Sequence, residues 1–458
     1  MTPAIDRAEP PPHARVAIPR AAGWPVLGVL YQLRRDPLGS LTAIARQGDA
    51  VVVPAIDRML LVNRPEYVEH VLQRNQKNYR KGAWYARFKP LLGEGLITSE
   101  GDAWRHQRQL AQPAFAHERL ADFAATMVGC TASMLDRWES CAATSVPLDV
   151  HRETVRLTLT ILGRTVLDVD LAAACEPVRD AFAVALEITN HRVYALLPAP
   201  LPLPTPRNRR YRRALTALRE TVQAIVRARR GLGGTGADVL TLWIHDGRPG
   251  SAGLTDSHLI EALATMLVVG HETTALVLTF LWYLLSLHPA ANETMRAEIA
   301  AVLGDRPPTA ADLPRLRYTE MILHETMRLF PPVWILGRQA IERDSIGPYD
   351  VAAGATIMVS PYLLHRHPAY WPNPEGFDPE RFAPGREAER PRFAYVPFGA
   401  GARQCLGTHY ALMEMLIITA MVAQRYRLDL TSGYRLVLDP SVTLRPRSAV
   451  TVTLTRRR

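Results

Sequence analysis

The longest apolar pattern in the chain covers residues 255–287 and predicts its longest helix, capped by Thr255 or Asp256 and stopped at His288-Pro289. Residues 262–269 and 275–287 are apolar, and between them stands Gly270-His271-Glu272-Thr273-Thr274. The length would suit a membrane span, but an ionisable Glu and a His at mid-span are costly in lipid. The pattern therefore predicts a buried central helix with a polar notch. Inside a core, Glu272 has to be paired or functional, and Gly270 leaves room for a ligand where a side chain would block it.

Helical spacing also runs through residues 115–171 without a break. A shorter helix is predicted over 316–330, closed by Pro331-Pro332; it carries Glu325 and Arg328 at i and i+3, a salt-bridge spacing. Residues 102–112 form a polar helical segment with Trp104 and Arg108 at i and i+4. An indole N–H and a guanidinium on one face suit a buried carboxylate. Strands are predicted at 50–53 and 59–62 around a turn at 55–58, and at 351–359 and 450–454; Pro65 opens a helix to about Leu72. Residues 195–206, ALLPAPLPLPTP, cannot be regular helix because alternate prolines remove donors. The glycines of 231–236 make a second break. Neither divides the chain, since motifs on both sides serve one site. The expectation is a mainly α fold with small β-sheets, one unit over 26–458 behind a Pro-rich segment, 1–25.

Composition narrows the class. The chain has 458 residues, 48% of them hydrophobic, enough for a large core, and a formal net charge of +10. Cys130, Cys141, Cys175 and Cys405 show neither C-x-x-C pairs nor disulfide-framework spacing, which suits a reducing interior and argues against structural zinc. Segment 1–25 lacks the apolar core of a signal peptide or anchor helix, so the expectation is a soluble, cytoplasmic protein with no transmembrane anchor. The basic residues are nearly all Arg and are scattered, which argues against nucleic acid. The densest cluster, 207–213, reads as a solvated helix face. The positive balance favours an acidic protein partner.

Candidate chemistry concentrates in Phe398-Gly399-Ala400-Gly401-Ala402-Arg403-Gln404-Cys405-Leu406-Gly407. One Cys sits among glycines and an Arg, just before an apolar run, 410–422, long enough for a helix. A thiolate there faces a helix N-terminus, which favours the anion. The glycines let backbone approach the sulfur and any flat ligand above it.

This stretch resembles the cysteine signature F-x-x-G-x-R-x-C-x-G of the cytochrome P-450 family, the haem-thiolate monooxygenases, at every fixed position. Three further family motifs are matched: the acid-threonine helix motif at Gly270-His271-Glu272-Thr273-Thr274, E-x-x-R at Glu325-Thr326-Met327-Arg328, and P-E-R-F at Pro379-Glu380-Arg381-Phe382. The resemblance runs from about Trp104 to the end and is to the soluble bacterial-type members. One departure is Val269, where the family usually has Ala or Gly; its bulk is expected to narrow the pocket beside the iron.

The resemblance implies a single haem-enclosing unit around the long central helix. Cys405 would be the axial iron ligand of haem b, and the electron push of such a thiolate is an established property of the family rather than a result obtained from this sequence. Trp104, Arg108, Arg338 and Arg403 would hold the propionates, and Phe398 would pack beside the thiolate. Glu325, Arg328 and Arg381 would form a buried ion triad supporting the ligand loop. Glu272 and Thr273 would relay protons to bound oxygen. Pocket walls are expected in the 85–96 loop and at Leu263, Met266, Val269, Val333, Trp334, Ile335 and Thr443, with Arg87 and Lys89 as grips for a substrate carboxylate.

The implied reaction inserts one oxygen atom from O2 into a lipophilic small molecule, by hydroxylation or epoxidation of a fatty acid, terpenoid or other natural product. The chain ends soon after the helix that follows Cys405, so NADPH or NADH electrons are expected from a separate ferredoxin or flavodoxin with its reductase, docked near Arg105 and His106. Two other readings keep the haem. A peroxide-driven oxygenase or isomerase needs no relay, and the Glu272-Thr273 pair counts against it. A non-catalytic ligand-binding or gas-sensing protein has no use for the notch.

Overall fold

The computed structural model describes residues 18–21, 27–53, 59–170, 175–195, 198–231, 239–245 and 254–457. At its centre lies one helix, Asp256–Leu287, started by the Thr255 hydroxyl, which accepts the His258 N–H, and ended at His288 before Pro289. It is long and apolar enough to cross a membrane, yet most of it is buried inside the protein. Apolar residues on nearly all its faces are what such burial requires. The helix Val150–Val166 packs along it, and Cys175–Tyr194 and Pro206–Gly231 pair with each other over its N-terminal half. On the other side Thr408–Arg425 runs against Asp256–Leu287, His117–Thr144 and Arg317–Leu329.

The β component is small and peripheral. A five-stranded sheet has the order Ala50–Val53, Met59–Val62, Thr356–Val359, Leu336–Ala340, Tyr79–Arg80, and only the Met59–Val62 and Thr356–Val359 pair is parallel. A second sheet joins Leu148–Asp149, Thr451–Arg456 and Tyr426–Leu430.

Several expectations need correction. The helical stretch 115–171 is two helices, His117–Thr144 and Val150–Val166, divided at Ser145, whose φ is 53°, and at Pro147, which has no N–H to give a helix. The Leu148–Asp149 strand fills the gap, and the Asp149 carboxylate restarts the helix by accepting the Arg152 N–H at 3.2 Å. The single strand at 351–359 is likewise two, Tyr349–Val351 and Thr356–Val359, in different sheets. Gly354, at φ 78°, turns the chain between them. The helix opened by Pro65 runs to Glu69 and passes into a π-turn, His70–Arg74.

The Pro-rich connector is non-helical where described, and Asn208 Nδ2 secures it by donating to the Pro200 and Leu203 carbonyls at 2.8 and 3.0 Å. The turn at 55–58, most of 1–25 and the glycine break beyond Gly231 lie outside the described residues.

Candidate functional site

The cysteine loop is a tight backbone construction. The Cys405 N–H donates to the Phe398 carbonyl at 2.9 Å, Gly399 N–H to Val396 at 3.0 Å and Gln404 N–H to Gly401 at 3.0 Å. Gly399 and Gly401 both take φ 69°, the left-handed region that disfavours other residues. A Cβ on Gly401 would lie 1.8 Å from the Leu72 carbonyl oxygen, whereas one on Gly399 would meet nothing within 4 Å. Gly401 therefore lets the loop press on the π-turn, and Gly399 leaves space open.

Cys405 stands just before Thr408–Arg425, with the Thr408 hydroxyl donating to its carbonyl at 3.0 Å. It is accessible to a water-sized sphere, yet protein encloses it on nearly every side. That combination marks a group lining an internal chamber. Burial pushes the thiol pKa up, opposed by the Gly407 N–H, the Thr408 hydroxyl and Arg108. A bound metal cation would remove that proton outright.

Cations gather at the same chamber. The Arg403 guanidinium stacks on the Trp104 ring, 3.8 Å from its centroid, and reaches Glu100 at 2.7 Å and the Ser99 carbonyl at 3.0 Å. Arg108 approaches Trp104 from 5.8 Å and donates to the Gln404 carbonyl at 3.0 Å. Arg338 is buried on Leu336–Ala340 and donates to the Gly337 carbonyl at 2.8 Å. Sequence reasoning missed a further member, Lys81. Its ammonium is enclosed, donates to the Ile97 carbonyl and lies 4.8 Å from the Tyr85 ring centroid. Burial pushes its pKa well down, and the charges of Arg338 and Arg403 push it further. Burial also lowers Arg403, to about 10.

Among the described residues, Glu100 is the carboxylate that answers this cluster. Desolvated like charges of this kind call for an anion. The donor set fits a flat dianion carrying a metal: Lys81, Arg338 and Arg403 would hold its acid groups and Cys405 its metal. Haem is such a group, and when bound it supplies the iron that binds and activates dioxygen.

The triad lies behind the loop. Glu325 and Arg328 are fully buried and pair in a fork: Arg328 Nε and Nη2 donate to the Glu325 oxygens at 2.7 and 2.8 Å. The remaining Arg328 N–H groups hold the carbonyls of His365, Pro374 and Gly376 at 2.9, 2.6 and 2.8 Å. Arg381 joins at 3.5 Å from Glu325 and binds the Asn373 carbonyl at 2.9 Å. His365, also unforeseen, carries the link onward, because its Nε2 accepts the Val396 N–H at 2.9 Å, two residues before Phe398. Val396 is buried and Phe398 packs partly buried against the main core.

On the central helix the notch stays helical throughout. Glu272 is buried, and the Thr273 hydroxyl donates to the Val269 carbonyl at 3.1 Å. Thr158 of the neighbouring helix donates to the His271 carbonyl at 3.1 Å, bracing the same turn. Gly270 does not open onto ligand space as expected: a Cβ there would meet the Leu162 methyls at 2.8 Å, so its bareness serves helix packing. His271 faces the core, ring to ring with Phe182 at 5.5 Å, and burial lowers its pKa.

An apolar cleft lies between the 85–96 loop, the helices Cys175–Tyr194 and Pro206–Gly231, and the central helix; Leu91, Phe182, Leu218, Val222, Ala264 and Val268 are among its walls. The 85–96 loop lines this cleft at Leu91 and Gly93, and the other expected wall positions are not among its lining residues. Leu263 and Met266 are in the main core, with Val269 packed against it. Trp334 is in a second core cluster, its indole N–H on the Ser441 carbonyl at 2.8 Å, and Ile335 packs against that cluster. Val333 and Thr443 are half-buried. In this structure Arg87 binds the carbonyls of Arg192, Val193 and Ala195 at the end of Cys175–Tyr194, and Lys89 pairs with Glu94.

A thiol, a cluster of cations and a notched helix are the features that the haem-thiolate resemblance leads one to expect. Comparison with known proteins agrees. The chain belongs to the cytochrome P450 family, whose sequence model, described as "Cytochrome P450", matches residues 19–450. It is 35% identical over 439 residues to the cyclooctat-9-en-7-ol 5-monooxygenase of Streptomyces melanosporofaciens, covering 94% of each chain. To the pentalenene oxygenase of Streptomyces avermitilis it is 29% identical, covering 97% of each. The crystal structure of the cytochrome P450DA haem domain superposes with a TM-score of 0.87 at 27% identity, covering 97% of this chain and 99% of that one. The protein is thus an oxygen-incorporating oxidoreductase that uses haem and O2.

Proposed function

We propose that the protein hydroxylates or epoxidises a cyclic terpenoid. The observation that carries this is the cleft: its walls are mostly aliphatic and aromatic, and its two charged members, Glu261 and Arg219, are of opposite sign. A carbocyclic skeleton binds such a surface by burial alone. A fatty acid would place its carboxylate at Arg219, the one cation of the cleft wall among the described residues, and would leave the rest of the wall to its chain. Relatives named for cyclooctatin and pentalenene chemistry support the cyclic terpenoid.

In this reading Cys405 holds the iron, and Lys81, Arg338 and Arg403 hold the cofactor's acid groups with Trp104 stacked beneath Arg403. Arg108 props the Gln404 carbonyl beside the thiolate. Glu272, which is buried, and Thr273, on the same helical turn, would be the groups that hold and pass protons toward the cofactor's oxygen. Electrons from NADPH or NADH arrive through a separate ferredoxin or flavodoxin, drawn by exposed cations such as Arg105.

The test is a screen for substrate-induced spin shift with cyclic diterpenes, sesquiterpenes and fatty acids, followed by product analysis with an external redox partner. Shifts and products with the cyclic terpenes support the reading; a fatty-acid response alone overturns it. For the relay, Thr273→Ala should retain haem and the spin shift while diverting electrons to hydrogen peroxide. Unchanged product per NADPH would refute it.

A further inference from the structure

The cysteine loop is held from outside by a short segment, residues 70–81, that no motif of the sequence singles out. It begins with the π-turn His70–Arg74, closed by the Asn75 N–H on the His70 carbonyl at 2.8 Å, and runs into the strand Tyr79–Arg80, which pairs with Leu336–Ala340. Asp344 fastens it from behind. Its Oδ2 accepts the Tyr79 hydroxyl at 2.5 Å and the Asn75 amide at 3.0 Å, and His70 Nε2 lies 2.8 Å from the same oxygen. Asn78 adds a two-way clasp: its Nδ2 donates to the Glu342 carbonyl at 3.3 Å, and its Oδ1 accepts the Glu342 N–H at 2.8 Å. Four side chains thus tie the segment to residues 342–344.

Gln76, half-buried, reaches the cysteine loop instead. Its Oε1 accepts the Ala402 N–H at 2.7 Å, and a Cβ on Gly401 would lie 2.9 Å from that oxygen as well as 1.8 Å from the Leu72 carbonyl oxygen. Two consecutive loop residues are therefore gripped by one firmly tied segment, through a main-chain carbonyl and a side-chain amide. The short helical turn Gly401–Arg403 cannot pair its own first N–H groups, and that of Ala402 is one of them. Ala402 is exposed, so water could take that N–H with little loss of stability. What the amide adds over water is a fixed direction. The π-turn contributes to it, since one residue fewer would swing whatever follows by about 100° around the helix axis.

We propose that Gln76 is a positioning residue for the cysteine loop: its amide oxygen fixes the turn Gly401–Arg403 and through it sets where the Arg403 guanidinium and the Cys405 thiolate stand relative to each other. Arg403 leaves that turn for its stack on Trp104, and Cys405 follows two residues later. Gln76 thereby acts on the retention of the metal ligand and not on the substrate. The inference rests on the reading of Cys405 as the iron ligand.

The experiment compares Gln76→Glu, Gln76→Asn and Gln76→Leu. A glutamate carboxylate accepts the same N–H, an asparagine amide falls one methylene short, and leucine accepts nothing. Hydrogen exchange at the Ala402 amide should be slow in the parent and in Gln76→Glu, and faster in Gln76→Asn and Gln76→Leu. In the reduced carbon monoxide complex, held at one mild urea concentration, the red-shifted Soret band should decay about two- to twelve-fold faster in Gln76→Asn and Gln76→Leu, the factor that one net hydrogen bond supplies. Gln76→Glu should decay at the parental rate. Melting temperature and substrate spin shift per haem retained should stay as in the parent in all three. An Ala402 amide that exchanges equally fast in the parent and Gln76→Leu overturns the proposal. So does parental band decay in Gln76→Leu, equal acceleration in all three variants, or a fall in melting temperature in Gln76→Leu large enough to account for the faster decay. If the parent lacks the red-shifted band, the reading of Cys405 fails instead, and the exchange arm still reports on Gln76 by itself.

Discussion

His365 Nε2 accepts the Val396 backbone N–H at 2.9 Å, while the His365 carbonyl accepts a guanidinium N–H of Arg328 at 2.9 Å. One residue, through its backbone carbonyl and its ring, thus joins the ion triad to the strand of chain that delivers Cys405. The acceptor role requires the neutral ring. Burial first, then the charges of Arg328 and Arg366, hold the His365 pKa well below its ordinary 6.5.

A pH dependence follows with a definite sign. Above pH 6.5 the ring is neutral in both folded and unfolded chains. As pH falls below 6.5 the unfolded chain takes up a proton that the folded one refuses, so stability is lost. The expected slope is up to about 1.4 kcal/mol per pH unit from this residue. Urea unfolding at several pH values between neutrality and mild acid should show a smaller slope in His365→Gln than in the parent. His271, also buried with a lowered pKa, remains in that variant as the residual dependence.

Removing Arg328 should be severe. Its five hydrogen bonds span Glu325 and three loop carbonyls, all out of water. Arg328→Ala should lose about 3–5 kcal/mol, largely because Glu325 is left as an uncompensated buried charge. Arg328→Lys should recover little, since one ammonium cannot match the planar fork. Denaturant midpoints and the yield of protein with the red-shifted Soret band of the reduced carbon monoxide complex are the readouts.

Lys81 should matter for cofactor retention rather than for chemistry. A charge-assisted bond to a carboxylate contributes about 1.5–3 kcal/mol, so Lys81→Met should speed haem transfer to an excess of apomyoglobin by about ten-fold or more. The spin shift per haem retained should stay as in the parent. In the absence of haem, the same variant should be at least as stable as the parent, because it removes a desolvated charge.

The two left-handed glycines of the cysteine loop should respond differently to alanine. Both substitutions meet the backbone cost, about 1–2 kcal/mol. Only Gly401→Ala also drives a methyl into the Leu72 carbonyl, a backbone atom that cannot swing aside. Gly401→Ala should therefore yield little thiolate-ligated protein, and Gly399→Ala should fold with a modest loss in melting temperature. Equal behaviour would show that the loop and the π-turn are not in tight contact.

Much of this protein is legible along the chain. The apolar run of 255–287 with Thr255 before it and Pro289 after it specifies a helix from local rules, and its Glu and His at mid-length direct it into a protein core rather than a bilayer. The cysteine loop is equally local, because a thiol between glycines before a helix needs only backbone geometry to be recognised. Spacing also gives the Glu325 and Arg328 pair, since i and i+3 meet on any helix.

What spacing could not supply is which faces meet. Gly270 reads as an opening for a ligand until Leu162, over a hundred positions earlier, is found against it. Lys81 and Arg338 lie 257 positions apart, yet both charges act at one chamber wall. The Trp334 indole N–H finds the Ser441 carbonyl, 107 positions along the chain. Local propensity acts through neighbours within one turn, whereas burial and electrostatics act through space. The sequence by itself determined the main helices, the cysteine loop and the class of chemistry; tertiary packing alone decided which cations gather near that loop and which residues wall the cleft.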